Sequence, residues 1–205
     1  MQLAKAMILA AKQNGGDSVK GQLYSAEDDK GKPYYEAAKQ AQLTFDQAKE
    51  LFDYARSIGI EMFFSVFGLE YVKWCKAIGV NYYKLACDCK DDVLIDAVMQ
   101  TGKPFLRSLS EFYPCVGQIL YCVPEYPASL LHIHMPLFQS SEFIGFSDHA
   151  IGINVAKIAL ARGAQIIEKH FCLDKSNCYE GEWSMTPDEL RELKRWESLC
   201  HKVLA

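Results

Sequence analysis

The sequence predicts a parallel α/β fold of the (β/α)8 barrel type, incomplete because its first strand is missing and one crossover is trimmed. Seven short apolar segments mostly alternate with helical segments along 205 residues, and such alternation implies a parallel sheet with right-handed crossovers. Seven units are close to the eight of a barrel, which typically takes about 250 residues. The chain opens on a helix without a strand before it. An open doubly wound sheet is the alternative architecture.

The first elements follow from apolar spacing and turn residues. Residues 1–14 have apolar side chains at helical spacing interrupted by lysines, which predicts an amphipathic helix rather than a signal peptide. Gly15 and Gly16 end this helix. A short strand is expected at residues 17–23. The polar segment 25–39 is expected to be a long loop, and long loops are often functional.

Strands and helices then alternate. Thr44 and Gln47 form a capping box that opens a helix running to about Ser57. Strands are predicted at residues 60–66, 81–86, 104–108 and 118–123, and helices at residues 69–78 and 92–100. The connection 109–116 is too short for a good helix and is the trimmed crossover. Residues 129–141 are poorly periodic.

Two apolar runs near the C-terminus each end in ionisable residues. They are Phe-Ile-Gly-Phe-Ser-Asp-His at 143–149 and Ile-Ile-Glu-Lys-His-Phe at 166–171, and a Gly- and Ala-rich helical segment separates them. This is a strand, helix, strand unit with a histidine near the C-terminal end of each strand. A last helix opens at the capping box of Thr186 and Glu189, with proline at its first position.

Composition narrows the possible partners. The formal net charge is −4 and no basic block stands out, so nucleic acid and anionic membrane surfaces are not suggested. The apolar runs are far shorter than a membrane span. Eight cysteines without an export signal predict reduced thiols in a cytoplasmic protein. Cys87 and Cys89 lack the two-residue gap of a structural zinc half-site, so a zinc-binding module is a weaker alternative.

Side chains that can do chemistry lie at the predicted ends of the strands, where parallel α/β proteins bind ligands. They are Lys20, Gln22, Lys84, Ser108, Tyr126, Ser147, Asp148, His149, Glu168 and His170. Two lysines with hydroxyl groups suit an anionic, phosphorylated ligand. Two histidines with a carboxylate suit a divalent metal that acts as a Lewis acid on a carbonyl.

Each of these residues also has a structural interpretation. A single strand lysine often extends along apolar surface to solvent, and a single histidine in a strand is often structural. Strand parity, however, places Ser147 and His149 on the same face of their strand, and it likewise places Glu168 and His170 on the same face of theirs. This joint placement favours function. His132 and His134 are expected in a surface loop, and Lys169 is expected to be structural because it alternates away from His170.

Gly-Phe-Ser-Asp-His at 145–149, followed by Ile-Glu-Lys-His-Phe-Cys-Leu-Asp at 167–174, resembles the signature of the N-acetylneuraminate (sialic acid) synthase family. This family includes the pseudaminic and legionaminic acid synthases. Further segments agree and follow the family order at residues 17–22, 83–86, 101–104, 125–127 and 186–190. The resemblance implies a (β/α)8 barrel that condenses phosphoenolpyruvate with an N-acyl amino sugar such as N-acetylmannosamine. The products are a nine-carbon 2-keto sugar acid and phosphate.

The resemblance also implies roles for individual residues. A divalent metal, Mn²⁺ or Mg²⁺, would be held by His149 and His170. The other residues carried over by position are Lys20, Lys84, Ser108 and Ser147 for phosphoenolpyruvate, Gln22, Tyr126 and Glu180 for the sugar, and Lys20, Tyr126 and His170 for catalysis. The partners implied are therefore small molecules, with a homodimer left open.

Several departures from the family pattern bear on activity. The family's first strand, with its acidic active-site residue, is absent. Cys87-Asp-Cys89 replaces a loop of the Ser-Gly-Glu type, so that a phosphate-side hydroxyl and the sugar-recognising carboxylate of the family are both lost. Gly21 replaces an aromatic residue and Pro124 a small polar one. A single barrel domain over residues 1–205 is expected, without the antifreeze-like domain that completes the partner's site in family dimers. A catalytically impaired or non-catalytic truncated paralogue, which binds ligand or a partner chain, is the alternative function.

Overall fold

Seven parallel strands form one sheet in chain order in the computed structural model, which describes residues 1–204. The strands are β1 Ser18–Leu23, β2 Glu61–Val66, β3 Tyr83–Leu85, β4 Phe105–Leu109, β5 Gln118–Cys122, β6 Phe143–Asp148 and β7 Ile166–Lys169. A doubly wound sheet reverses its strand order at a switch point. The unbroken order from β1 to β7 therefore excludes that alternative and fits a curled, partial barrel.

Helices cover the outside of most of the sheet. They are α1 Gln2–Gln13, α2 Tyr35–Ala41, α3 Phe45–Ser57, α4 Leu69–Ile78, α5 Asp92–Met99, α6 Asn154–Ala161 and α7 Pro187–Leu204. Both predicted capping boxes are present. At the start of α3, the Gln47 amide donates to the Thr44 hydroxyl oxygen, and before α7 the Glu189 amide donates to that of Thr186. Gly79 ends α4 with a positive φ of 89°, a conformation that glycine adopts readily.

The polar segment predicted as a long loop at residues 25–39 is partly helical. A short 3-10 helix spans Ala26–Asp29, and α2 begins at Tyr35. Two hydrogen bonds attach this segment to its surroundings: the Tyr24 hydroxyl donates to the Ala38 carbonyl oxygen at 2.8 Å, and the Ala26 amide donates to the Gln42 side chain at 2.8 Å. These contacts bridge residues 14 and 16 positions apart, so local composition did not reveal them.

The connection predicted to be a trimmed crossover is a loop in the structure. The described chain between β4 and β5 contains no helix, and Phe112, Tyr113 and Val116 in this connection are exposed. Between β5 and β6 the chain forms only two 3-10 turns, Leu130–His132 and Phe138–Ser140. The outer face of the sheet around β5 is therefore covered mainly by these connections.

The barrel is open between its first and last strands. Within residues 1–204, the outer edges of β1 and β7 have no strand partner. All four residues of β7 are half-buried, and only Leu23 of β1 is buried, whereas most residues of the inner strands are buried. The charges of Lys20 on β1 and Glu168 on β7 still attract each other. The two open edges thus border one interior.

The interior has an apolar base. Phe63 on β2, Leu106 on β4 and Leu120 on β5 form a small buried cluster, and Tyr82, Ile144 and Ile166 pack against it. The main cores lie between the sheet and its outer elements. Because same-face residues in a strand are two positions apart, the residues two positions after Phe63, Leu106 and Leu120 lie one layer nearer the C-terminal ends. No helix within residues 1–204 has both the length and the apolar character needed to cross a bilayer.

Candidate active site

Each strand contributes one polar side chain to the layer above the apolar base. We call this set the polar layer, and its members are Lys20, Ser65, Lys84, Ser108, Cys122, Ser147 and Glu168. Side chains from neighbouring strands bond across the interior. The Lys20 ammonium donates to the Ser65 hydroxyl at 3.0 Å, which brings β1 and β2 together. Ser65 was not among the predicted site residues, although it is the one polar residue in the run Met-Phe-Phe-Ser-Val.

Lys84 lies at the centre of the polar layer. Its side chain is 3% exposed, and its ammonium donates to the Ser108 hydroxyl at 2.8 Å and the Leu85 carbonyl oxygen at 3.1 Å. The same nitrogen is 3.4 Å from a carboxylate oxygen of Glu168. The snorkelling interpretation of Lys84 is therefore wrong, because its charge is held inside the barrel.

Glu168 connects the lysines of the polar layer. Its Oε1 accepts a 2.7 Å hydrogen bond from the Ser147 hydroxyl. Its Oε2 is buried without a hydrogen-bond partner among the described residues. Burial raises the pKa of Glu168, but the charges of Lys84 and Lys20 and the hydrogen bond from Ser147 outweigh burial and bring the pKa to about 2. The carboxylate is therefore ionised at neutral pH.

The charge of the polar layer suits an anionic ligand. Two ammonium groups, Lys20 and Lys84, face the single carboxylate of Glu168. The pKa of Lys20 is lowered, because burial and repulsion by Lys84 together outweigh the attraction by Glu168. An incoming anion would add the negative charge that this layer lacks, and charge-assisted hydrogen bonds to lysine are among the stronger ones in proteins. The structure brings together four predicted residues, namely Lys20, Lys84, Ser108 and Ser147.

The two predicted metal-binding histidines lie side by side above the polar layer. The ring centroids of His149 and His170 are 5.4 Å apart. His149 Nδ1 is 2.9 Å from the Val123 carbonyl oxygen, and His170 Nδ1 is 2.9 Å from a Glu180 carboxylate oxygen. Both partners accept hydrogen bonds, so each Nδ1 carries the proton. In the neutral rings Nε2 is then the nitrogen with the free lone pair.

This arrangement fits a divalent metal. Metal-binding histidines usually donate their second ring N–H to a carboxylate or a backbone carbonyl, which fixes the ring and the tautomer. His149 and His170 show one example of each. Within residues 1–204 no group of three or more His, Cys, Asp or Glu side chains has a metal-binding arrangement.

Glu180 is placed by its contact with His170. Its carboxylate lies at the mouth of the site, 42% exposed. Burial raises the pKa of Glu180, but the hydrogen bond from His170 and the charges of His170 and Lys20 outweigh burial. The pKa is therefore below its ordinary value, and the group is ionised at neutral pH. The predicted sugar contact of Glu180 stays a prediction, whereas its hydrogen bond with His170 is visible in the structure.

Aromatic side chains enclose the histidines. The Tyr126 ring centroid is 4.1 Å from that of His149 and 5.7 Å from that of His170, and Trp183 lies 5.8 Å from Tyr126. Sequence reasoning missed Trp183, because it lies in an aperiodic loop after β7. Its indole nitrogen is buried without a partner among the described residues. Gln22 lies two residues beyond Lys20 on the same face of β1, half-buried at the open edge.

The Cys87-Asp-Cys89 segment is a bent loop without metal-site geometry. Asp88 has a positive φ of 52°, and its carboxylate accepts hydrogen bonds from the amide and hydroxyl of Ser110. Another cysteine, Cys122 of the polar layer, has its Sγ 3.9 Å from His149 Nδ1. All eight cysteines lie within the described residues and are free thiols. The zinc-module alternative thus gains no support from these residues.

Comparison with known proteins agrees with this architecture. An uncharacterised protein of Methanocaldococcus jannaschii is 30% identical over 230 residues, covering 100% of this chain and 68% of that protein. The N,N'-diacetyllegionaminic acid synthase of Legionella pneumophila is 28% identical, covering 94% of this chain and 66% of the relative. The chain thus spans about two thirds of the length of these relatives.

Solved structures show the same fold. The N-acetylneuraminic acid (sialic acid) synthetase of Leptospira borgpetersenii, solved with citrate, matches with a TM-score of 0.79 at 23% identity, over 100% of this chain and 80% of that one. A putative spore coat polysaccharide biosynthesis protein E of Chromobacterium violaceum matches with a TM-score of 0.82 at 21% identity, over 100% and 71% of the two chains. The NeuB family model matches residues 7–110 and 117–204. The chain therefore belongs to the NeuB family.

Proposed function

We propose that this protein condenses phosphoenolpyruvate with an N-acyl amino sugar such as N-acetylmannosamine, assisted by Mn²⁺ or Mg²⁺. The carbon–carbon bond forms between the enol carbon of phosphoenolpyruvate and the open-chain sugar aldehyde. Water adds at the carbon bearing the phosphate, and phosphate leaves, giving a nine-carbon 2-keto sugar acid. The observation that carries the proposal is the placement of Lys20 and Lys84 in the polar layer, directly beneath the His149 and His170 pair.

The polar layer would hold phosphoenolpyruvate. The ligand has both a carboxylate and a phosphate, and Lys20 and Lys84 offer two ammonium groups with the hydroxyls of Ser108 and Ser147 beside them. Lys84, Ser108 and Ser147 are buried, and the exclusion of water strengthens the attraction of the Lys84 ammonium for an anion. Glu168 limits the repulsion between the two lysines, because its carboxylate attracts both of them.

The histidine layer would hold the sugar end of the reaction. When bound at His149 and His170, the divalent metal supplies Lewis-acid polarisation of the aldehyde oxygen. Glu180 keeps His170 oriented through its Nδ1 hydrogen bond. Tyr126 stacks beside His149 at the mouth, where it would face the sugar together with Gln22. Relatives that carry the names of legionaminic acid and N-acetylneuraminate-9-phosphate synthases support this class of product.

Phosphate release from the purified full chain tests the proposal. Phosphate should appear only when phosphoenolpyruvate, an N-acyl amino sugar and Mn²⁺ are all present. His149→Ala should abolish it, while His134→Ala, a substitution of an exposed loop histidine, should leave it unchanged. Absence of phosphate release with N-acetylmannosamine and with other N-acyl amino sugars would count against turnover.

A ligand-binding protein without turnover is the second candidate. The specific observation in its favour is the pair of open strand edges. Lys20 and Glu168 lie beside this opening and are only half-buried, so solvent reaches part of the polar layer. Calorimetric titration with phosphoenolpyruvate, with and without Mn²⁺, separates the two. Binding without phosphate release supports the second candidate, and binding with release supports the first.

A further inference from the structure

A buried ion pair lies directly behind the two histidines. Lys169 Nζ is 2.9 Å from Asp148 Oδ2, and the two side chains are 1% and 0% exposed. Asp148 and Lys169 are register partners on β6 and β7, and each immediately precedes one of the histidines. Strand alternation directs them to the face opposite Ser147 and Glu168, so they do not line the polar layer.

The pair also fixes the backbone that follows β6. Asp148 Oδ1 accepts a 2.8 Å hydrogen bond from the Ala150 amide, and the Lys169 ammonium donates to the Ala150 carbonyl oxygen at 2.8 Å. His149 is therefore enclosed between two residues that are tied to each other and to β7. The end of β7, from which His170 extends, is tied through the same lysine.

We infer that Asp148 and Lys169 are positioning residues that set the separation of His149 and His170 for metal binding. This inference rests on the metal site of the proposed function. A buried ion pair commonly contributes little net stability compared with apolar residues of similar volume, so stability alone does not explain this pair well. Its bonds cross-link the two strand ends that carry the histidines, where a small displacement changes the distance between two ligands.

The test compares Mn²⁺ affinity with thermal stability. The variant Asp148→Asn/Lys169→Met removes both charges without leaving an unpaired buried ion. Val98→Ala, in the fully buried core of α5, is the matched control for a general loss of packing. Binding of Mn²⁺ to the full chain is measured by electron paramagnetic resonance, and the melting temperature by circular dichroism. Outer contacts of metal ligands typically change affinity by about 10- to 100-fold.

We expect the double variant to bind Mn²⁺ at least about 10-fold more weakly, while Val98→Ala melts at a lower temperature with unchanged affinity. If both variants lose stability and both keep the parental Mn²⁺ affinity, the pair is only structural and the inference is overturned. If the parent protein binds no Mn²⁺, the metal site of the proposed function fails as well. Should the double variant not fold, Asp148→Asn alone gives the same comparison, because a buried lysine can lose its proton instead.

Discussion

The carboxylate of Glu168 lies 3.4 Å from the ammonium of Lys84, and both charges are held within the interior of the partial barrel. The two residues are far apart in sequence, and their strands, β3 and β7, are not neighbours in the sheet. Curling of the sheet brings them together. The contact therefore depends on the barrel-like shape and reports on its integrity.

The ionisation of Glu168 should make the free energy of unfolding depend on pH in the acidic range. Its folded pKa is about 2, below the ordinary value of 4.5, so its contribution is fully present above pH 4.5 and is lost as the pH falls towards 2. Glu168→Gln should be less stable at pH 7, by up to roughly 3 kcal/mol, and should lose less stability than the parent between pH 4.5 and 2. Urea unfolding across this range measures both. Equal pH slopes in the two proteins would show that Glu168 is not held ionised by the lysines.

Lys84 should contribute directly to phosphoenolpyruvate binding. Lys84→Met removes an ammonium group that is buried next to Ser108. A hydrogen bond to a charged group contributes about 1.5–3 kcal/mol, so we expect the dissociation constant of phosphoenolpyruvate to rise by about 10- to 150-fold. Lys30→Met, which changes an exposed lysine, should leave it unchanged. Calorimetry provides the measurement, and equal affinities for both variants would contradict the anion site.

The sequence predicted the framework better than the contacts within the site. The seven strands were recognised because their apolar residues are contiguous and bounded by turn residues, and parity placed Ser147 with His149 correctly on a shared face. The bond between Lys20 and Ser65, in contrast, depends on how neighbouring strands are staggered. Spacing along one strand carries no information on that stagger.

The loops were predictable only in part. Tyr126 was recognised because it follows a predicted strand, while Trp183 in an aperiodic segment gave no signal, although both rings border the histidines. Glu168 was a candidate without a separate role, because its function as a bridge between lysines depends on residues from β1 and β3. Residues whose environment is formed by several strands were therefore the most difficult to interpret.

Restoring a hydroxyl at position 87 should improve phosphoenolpyruvate binding. The family resemblance implies that a serine hydroxyl on the phosphate side is replaced here by the Cys87 thiol, which is a weaker donor. Cys87→Ser should lower the dissociation constant of phosphoenolpyruvate several-fold, by about the 0.5–1.5 kcal/mol of one hydrogen bond. Cys89→Ser, two residues along the same loop, serves as the control. An equal effect of the two substitutions would indicate a change in the loop rather than a contact with phosphate.

Glu180 should control metal affinity through His170. Its carboxylate accepts the Nδ1 hydrogen of His170 at 2.9 Å, which keeps Nε2 free for a metal. Glu180→Gln keeps the size but weakens the acceptor, and such outer contacts typically change metal affinity by about 10- to 100-fold. Glu182→Gln, in the same loop and exposed, should have no effect on Mn²⁺ binding. If Glu180→Gln instead leaves Mn²⁺ binding intact and weakens only the binding of the N-acyl sugar, the carboxylate contacts the sugar as the family resemblance implies, and the orientation of His170 does not depend on it.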